Sequence, residues 1–141
     1  MDLQDRLSAV LTDVLPVQRE DDGAVTVHHD GTFASLRVVT IAEDLELVSL
    51  TQVLAWDLHL DAKLRAAVAE HAHNTLLGTV SLAAKSSSTQ IAAGAKRNSK
   101  KVADVLLRYN FPAAGLTDDA LRTLVMMVLA TGADVRRALV A

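Results

Sequence analysis

The last third of the chain constrains the fold most. Residues 105–111 place Val105, Leu107, Tyr109 and Phe111 at period two, so these four side chains share one face of a strand. Pro112 has no N–H to give a ladder and ends that strand. Ala113, Ala114 and Gly115 make a corner. Thr117 follows as an N-cap, its side-chain oxygen suited to a first-turn N–H. Asp118 and Asp119 put negative charge at the positive end of the helix dipole. Behind them Leu121, Leu124, Val125, Val128, Gly132, Val135 and Leu139 recur at helical spacing. No other stretch is apolar for so long, so the remaining elements are expected to pack around this strand, corner and helix.

The 141 residues suit one domain over the whole of 1–141. With no cysteine, the chain has no disulfide, no thiolate metal site and no cysteine nucleophile. That fits a reducing compartment, and a cytoplasmic location is expected. The start of the sequence lacks a basic segment followed by an apolar run, so no signal peptide is expected. No uncharged apolar run approaches the ~20 residues of a membrane helix. Aromatics make up only 3% of a chain that is half hydrophobic, so the core must be Leu, Val and Ala. The same scarcity argues against a stacking platform for single-stranded nucleic acid.

The net charge of −3 conceals an asymmetry. Lys85, Lys96, Arg97, Lys100 and Lys101 are five of the 14 basic residues, and no acid lies within 85–101. The rest is an acidic body with one basic loop.

From the start of the chain, Leu3, Leu7, Val10, Leu11, Val14 and Leu15 form an amphipathic helical stripe that Pro16 stops. Residues 18–23 are polar and acidic, a connecting loop. Residues 25–29 alternate like a strand, Asp30 and Gly31 form a hairpin turn, and a second strand runs from Phe33 to about Ile41. A third strand, residues 45–56, is apolar on both faces, with Leu45, Leu47 and Val53 on one and Val48, Leu50, Leu54 and Trp56 on the other. Asp57 or Asp61 caps a helix whose inner face holds Leu60, Leu64, Ala67, Val68, His71 and Ala72. A fourth strand spans 77–84. Residues 85–101 have no strong period and read as a long basic excursion between two hairpin strands. The expected fold is therefore α+β: an antiparallel five-stranded sheet with three helices, order α-βββ-α-ββ-α, the helices mainly on one face.

That order resembles the type III secretion chaperones and the YbjN-like proteins. Three stretches carry the resemblance: residues 72–82, with Asn74 before a strand that Gly78 opens; residues 105–112; and residues 115–121 at the start of the final helix. The excursion at 85–101 departs from the pattern. The resemblance implies a small acidic homodimer that binds peptide segments of other proteins without chemistry, and it brings no catalytic residues.

The residues themselves offer no catalytic constellation either, and no enzyme activity is expected. His28 and His29 are adjacent on a strand and point apart. His71 and His73 diverge by about 200° on a helix at ~100° per residue. Only a combination across elements, with His59, would chelate a metal, so no metal or cofactor is expected. Ser86, Ser87 and Ser88 lack the glycine-framed elbow of a serine nucleophile. Asp118 and Asp119 fit helix-start electrostatics.

Two binding readings remain. The leading one is a homodimeric chaperone or adaptor that binds an unknown client protein or peptide. Its candidate contacts, as peptide site or dimer interface, are Val48, Leu50, Leu54, Trp56, Met126 and Met127. The alternative is a regulatory protein that meets nucleic acid or an acidic partner through Lys96, Arg97, Lys100 and Lys101, a contact that the acidic body opposes.

Overall fold

The computed structural model describes residues 2–87 and 100–140. In chain order the elements are α1 (Leu3–Thr12), β1 (Val17–Arg19), β2 (Val25–His29), β3 (Thr32–Ala42), β4 (Leu45–His59), α2 (Ala62–Asn74), β5 (Thr79–Ser87), β6 (Lys100–Pro112) and α3 (Asp118–Val140). The strands form one antiparallel sheet in the order β1-β2-β3-β4-β6-β5.

The α+β class and the three helices agree with the sequence reading; the sheet has six strands, not five. The extra one is β1, from residues expected in a loop. Pro16 ends the helical run and leaves the next residues extended, and Val17 pairs with Val27 and Arg19 with Val25. The turn that allows it uses Gly23 at φ +88°, with the Asp22 carboxylate accepting the Ala24 N–H. Three residues are too few to show a period. The hairpin of β5 and β6 is also longer than expected. Lys85, Ser86 and Ser87 pair with Val102, Lys101 and Lys100, so 85–87 and 100–101 are strand. The remainder of the basic excursion, 88–99, lies outside the described residues.

One face of the sheet carries the core. Val25, Val27, Ala34, Leu36, Val48, Leu50, Leu54, Val80, Val105, Leu107 and Phe111 join one buried cluster with Leu7 and Leu11 of α1, Val68 of α2, and Leu121, Val125, Val128 and Leu129 of α3. Each fully buried Leu or Val contributes about 1.5–3 kcal/mol. Asp2 caps α1 through the Asp5 N–H, and Asp61 caps α2 through the Leu64 N–H, both at 2.8 Å. Asp61 rather than Asp57 is therefore the cap. Thr117 caps α3 through the Ala120 N–H. Arg6 ties α1 to the start of α3 through Asp118 and the Leu116 carbonyl.

Gln4 reveals the phase of the ladder. β2 reaches only to the position opposite Leu36, so β3 is bare on that side beyond it. There the Val38 N–H donates to Gln4 Oε1 at 3.1 Å. Backbone directions alternate along a strand. Val38 thus faces the β2 side, Arg37 and Ser35 bond toward β4, and Leu107 and Tyr109 bond toward β4 from β6. Arg108 and Asn110 face away from β4. In turn Thr79, Ser81 and Ala83 face β6, while Val80, Leu82 and Ala84 turn their N–H and C=O outward.

Gln52 is a polar residue in the middle of the core face, and it is fully buried. Its Nε2 donates to the Leu129 carbonyl of α3 at 3.1 Å and to Thr32 Oγ1 at 2.9 Å. The Thr32 hydroxyl in turn donates a hydrogen bond to the His29 carbonyl. The amide lies against Gly132, where an added Cβ would come within 2.0 Å of Oε1. Gly132→Ala is therefore expected to destabilise the protein by about 1–3 kcal/mol through overpacking. Gln52→Ala should lose the amide's hydrogen bonds, yet the double variant should be less destabilised than the two single effects added. Urea midpoints of the four proteins check this.

Candidate protein-binding face

The side of the sheet opposite the core bears no helix among the described residues. It presents Thr26, Ser35, Thr51, Arg108 and Thr79 in one row across β2, β3, β4, β6 and β5. A second row runs His28, Phe33, Val53, Leu106 and Ser81. Most of these are half-buried by one another, and Phe33 is 38% exposed.

An irregularity in β4 completes an aromatic corner beside the second row. Val53 pairs with Leu106 and Ala55 with Val105, so one strand has an extra residue there. Such a bulge lets two successive side chains share a face. Leu54 and Ala55 are both buried, and Trp56 turns out to the open face at 47% exposure. Its ring lies 5.9 Å from Phe33, and His28 lies 6.2 Å from Phe33 on the other side. The Arg136 guanidinium sits 5.5 Å from the centre of the Trp56 ring, while its Nη1 donates to the Leu54 carbonyl at 2.8 Å. Arg136 reaches this position past Gly31, where a Cβ would meet its Nε at 2.8 Å.

Charges beside the corner are matched. Lys85 Nζ lies 2.8 Å from both Asp57 and Asp104. Asp57 adopts φ +57°, and its N–H donates to the Asp104 carboxylate at 3.1 Å. Partial burial pushes the Asp104 carboxyl up, but the Lys85 hydrogen bond, the Asp57 N–H and the Lys85 charge outweigh it and hold it below the ordinary 3.8. The hydrogen bonds to Asp104 and then Asp57 hold Lys85 above its ordinary 10.5. On the other side Arg137 pairs with Asp134 and Asp30.

The candidate contacts named from sequence separate. Val48, Leu50 and Leu54 are fully buried under the helices, so they are core and not a partner surface. The reason is phase: they share a face with Gln52 and lie opposite the open row. Leu50→Asp or Leu54→Asp would bury a charge and unfold the chain rather than probe a site. Trp56 escapes their face only through the bulge. Met126 is half-buried against the core, and Met127 is 51% exposed on the outer side of α3. Lys100 opens β6, Lys101 is exposed beside it, and Lys96 and Arg97 lie outside the described residues. Phe33, Val53 and Leu106 were missed as surface residues. Phe33 at least carried a signal, since it is out of phase with Ala34, Leu36 and Val38. Among the described residues no three of His, Asp and Glu gather as a metal site. No helix there is long and apolar enough to cross a membrane.

The triad has a pH signature. A lowered Asp104 contributes fully above 3.8, and the contribution fades as pH falls through its lower folded value. A raised Lys85 contributes fully below 10.5, and the contribution fades as pH rises through its higher folded value. Lys85→Met should therefore lower the urea midpoint by a constant amount between these limits. The gap from the parent should narrow in acid below the first limit and in alkali above the second, as read by urea titrations across pH.

Comparison with family models, with curated proteins and with solved structures finds no match for this chain.

Proposed function

We propose that this chain is a non-enzymatic protein-binding module of chaperone or adaptor type that works as a homodimer. The observation that carries the reading is the uncovered sheet face with Phe33 and Trp56 exposed at one corner. Aromatic side chains held rigidly at a surface are typical anchors for a partner chain. Here Trp56 is fixed by Phe33 and Arg136, so little side-chain freedom is left to lose on binding. The client is an extended or short helical segment of another protein. It lays an apolar side chain against Phe33, Val53, Leu106 and Trp56 and its backbone over the Ser and Thr rows. A polyanion fits this face less well, because Asp57, Asp104, Asp30 and Asp134 already hold Lys85 and Arg137. The reading agrees with what the YbjN-like and type III secretion chaperone resemblance implies, and a cysteine-free chain suits the cytoplasm.

The second copy takes the outer edge of β5. β1, the other edge, is three residues long, follows Pro16 and ends on Arg19. β5 is nine residues, its ladder with β6 has no register shift, and Lys85 is its single charge. An edge of that kind is left open for pairing with another chain, and two-fold pairing with itself closes it.

Trp56 is the only tryptophan, so its fluorescence reports on the corner. A client peptide is expected to shift it saturably, and Phe33→Asp, at an exposed position, should weaken binding at least tenfold, or ~1.4 kcal/mol. Equal binding by parent and variant would remove the site. Binding to nucleic acid at physiological salt that vanishes when Lys100 and Lys101 become alanine would favour the polyanion alternative. For the dimer, Ala84→Pro removes an outward N–H without touching the ladder to β6. Sedimentation should show a dimeric parent and a monomeric, folded variant.

A further inference from the structure

The β5–β6 ladder stops at Thr79 opposite Arg108, yet β6 continues to Pro112. On its inner side β6 stays paired with β4 as far as Leu47 opposite Pro112. On its outer side residues 109–112 have no strand beside them among the described residues. The chain leaves that line sharply at Gly78, whose φ is +86° and where a Cβ would meet Leu107 at 2.8 Å and the Arg108 carbonyl at 3.0 Å. A notch of about 500 Å³ remains, lined by Gly78, Thr79, Arg108, Tyr109 and Asn110.

The notch has the parts of a strand acceptor. The phase set by Gln4 and Val38 turns the Asn110 N–H and C=O outward, into it. The closeness of the Arg108 carbonyl to Gly78 gives the same phase independently. Pro112, the next outward residue, has no N–H to leave unpaired. Arg108 is exposed and makes no ion pair among the described residues, and the rest of the lining is uncharged. Two residues before Gly78, Leu76 is 90% exposed.

We propose that this notch binds an extended segment of another protein by adding it to β6 in line with β5. One client residue exchanges two backbone hydrogen bonds with Asn110 and carries an acidic side chain. That side chain stands on the open face diagonal to Arg108, within reach of a guanidinium. The neighbouring client residue points to the helix side, where an apolar group meets Tyr109 and Leu76. The recognised feature is thus an acidic residue next to an apolar one in a strand. This site is separate from the aromatic corner and does not depend on it.

The probe is a short peptide, Val-Glu-Val, acetylated and amidated so that only the Glu is charged, titrated into the full chain and followed by backbone amide shifts. Shifts are expected at residues 76–79 and 108–111, with Trp56 emission unchanged. Arg108→Ala should weaken binding about tenfold, and Arg108→Lys should restore part of it. Replacing the probe's Glu with Gln should weaken binding to the parent but add nothing against Arg108→Ala. Asn110→Pro removes the outward N–H while leaving the ladder to β4, and should abolish binding with the rest of the spectrum intact. No shifts at millimolar probe, shifts centred on Phe33 and Trp56, or equal binding by Arg108→Ala would each overturn the proposal.

Discussion

The contact between Gln52 and Gly132 governs how close the longest helix comes to the centre of the sheet. β4 is the longest strand and lies between β3 and β6, and α3 crosses its core face. With no side chain at Gly132, the helix approaches until the Gln52 amide touches its backbone and donates to the Leu129 carbonyl. A buried amide with Oε1 unpaired is costly. A leucine at 52 would avoid that cost but would have no directional bond to the helix. The arrangement fits a device that fixes how α3 sits along β4, with Val125, Val128 and Leu129 filling the space around it.

That placement bears on the open face through Arg136, one turn beyond Gly132 on α3. The guanidinium reaches the Leu54 carbonyl, a group in the irregular part of β4, and comes to rest beside Trp56. A bulge frees backbone groups from the ladder, and here a helix residue takes one of them. The core contact, the bulge and the exposed tryptophan are thus one connected arrangement. A shift of α3 by a fraction of a turn would remove Arg136 from Trp56 and leave the corner supported by Phe33 alone.

Much of this was legible in the residues. The strand from Val105 to Phe111, the corner at Gly115, the Thr117 cap and the final helix rest on strong local signals, and the structure has each of them. What failed was the assignment of faces in β4. Alternation placed Trp56 with Val48, Leu50 and Leu54, and it would be there in an unbroken strand. One extra residue near Leu54 reverses Ala55 and Trp56, a second register shift before Leu58 returns the strand to its first phase, and nothing in the composition of residues 53–57 marks either shift. Gln52 was a missed clue: a polar side chain among Val48, Leu50 and Leu54 on the more apolar face signals an internal hydrogen bond. The aromatic count misled in a different way. Four aromatics are few for 141 residues, yet folding divides them into Tyr109 stacked on Phe111 at 5.2 Å and Phe33 beside Trp56. Scarcity in the chain does not exclude a cluster on the surface.

The two sides of the sheet are finished differently. At the β1 side, a three-residue strand, Pro16, and the ion pair of Arg19 with Asp5 leave little backbone to recruit. Gln4 even occupies the bare N–H of Val38. At the β5 side, the strand is long, regular and nearly uncharged, and α2 beside it buries only Val68 completely. A 13-residue helix with one buried side chain, Val68, and only Leu64 and Ala72 partly covered beside it, packs a narrow apolar face, and most helical stability comes from packing such a face. Strand edge and helix are therefore incompletely covered at the same side of the molecule. A sequence under pressure only to stay monomeric would place lysines, a proline or a bulge along residues 79–84, as it does in effect along 16–19. Thr79, Val80, Ser81, Leu82, Ala83 and Ala84 there leave a regular, uncharged edge, which is compatible with the proposed pairing of β5 with a second copy.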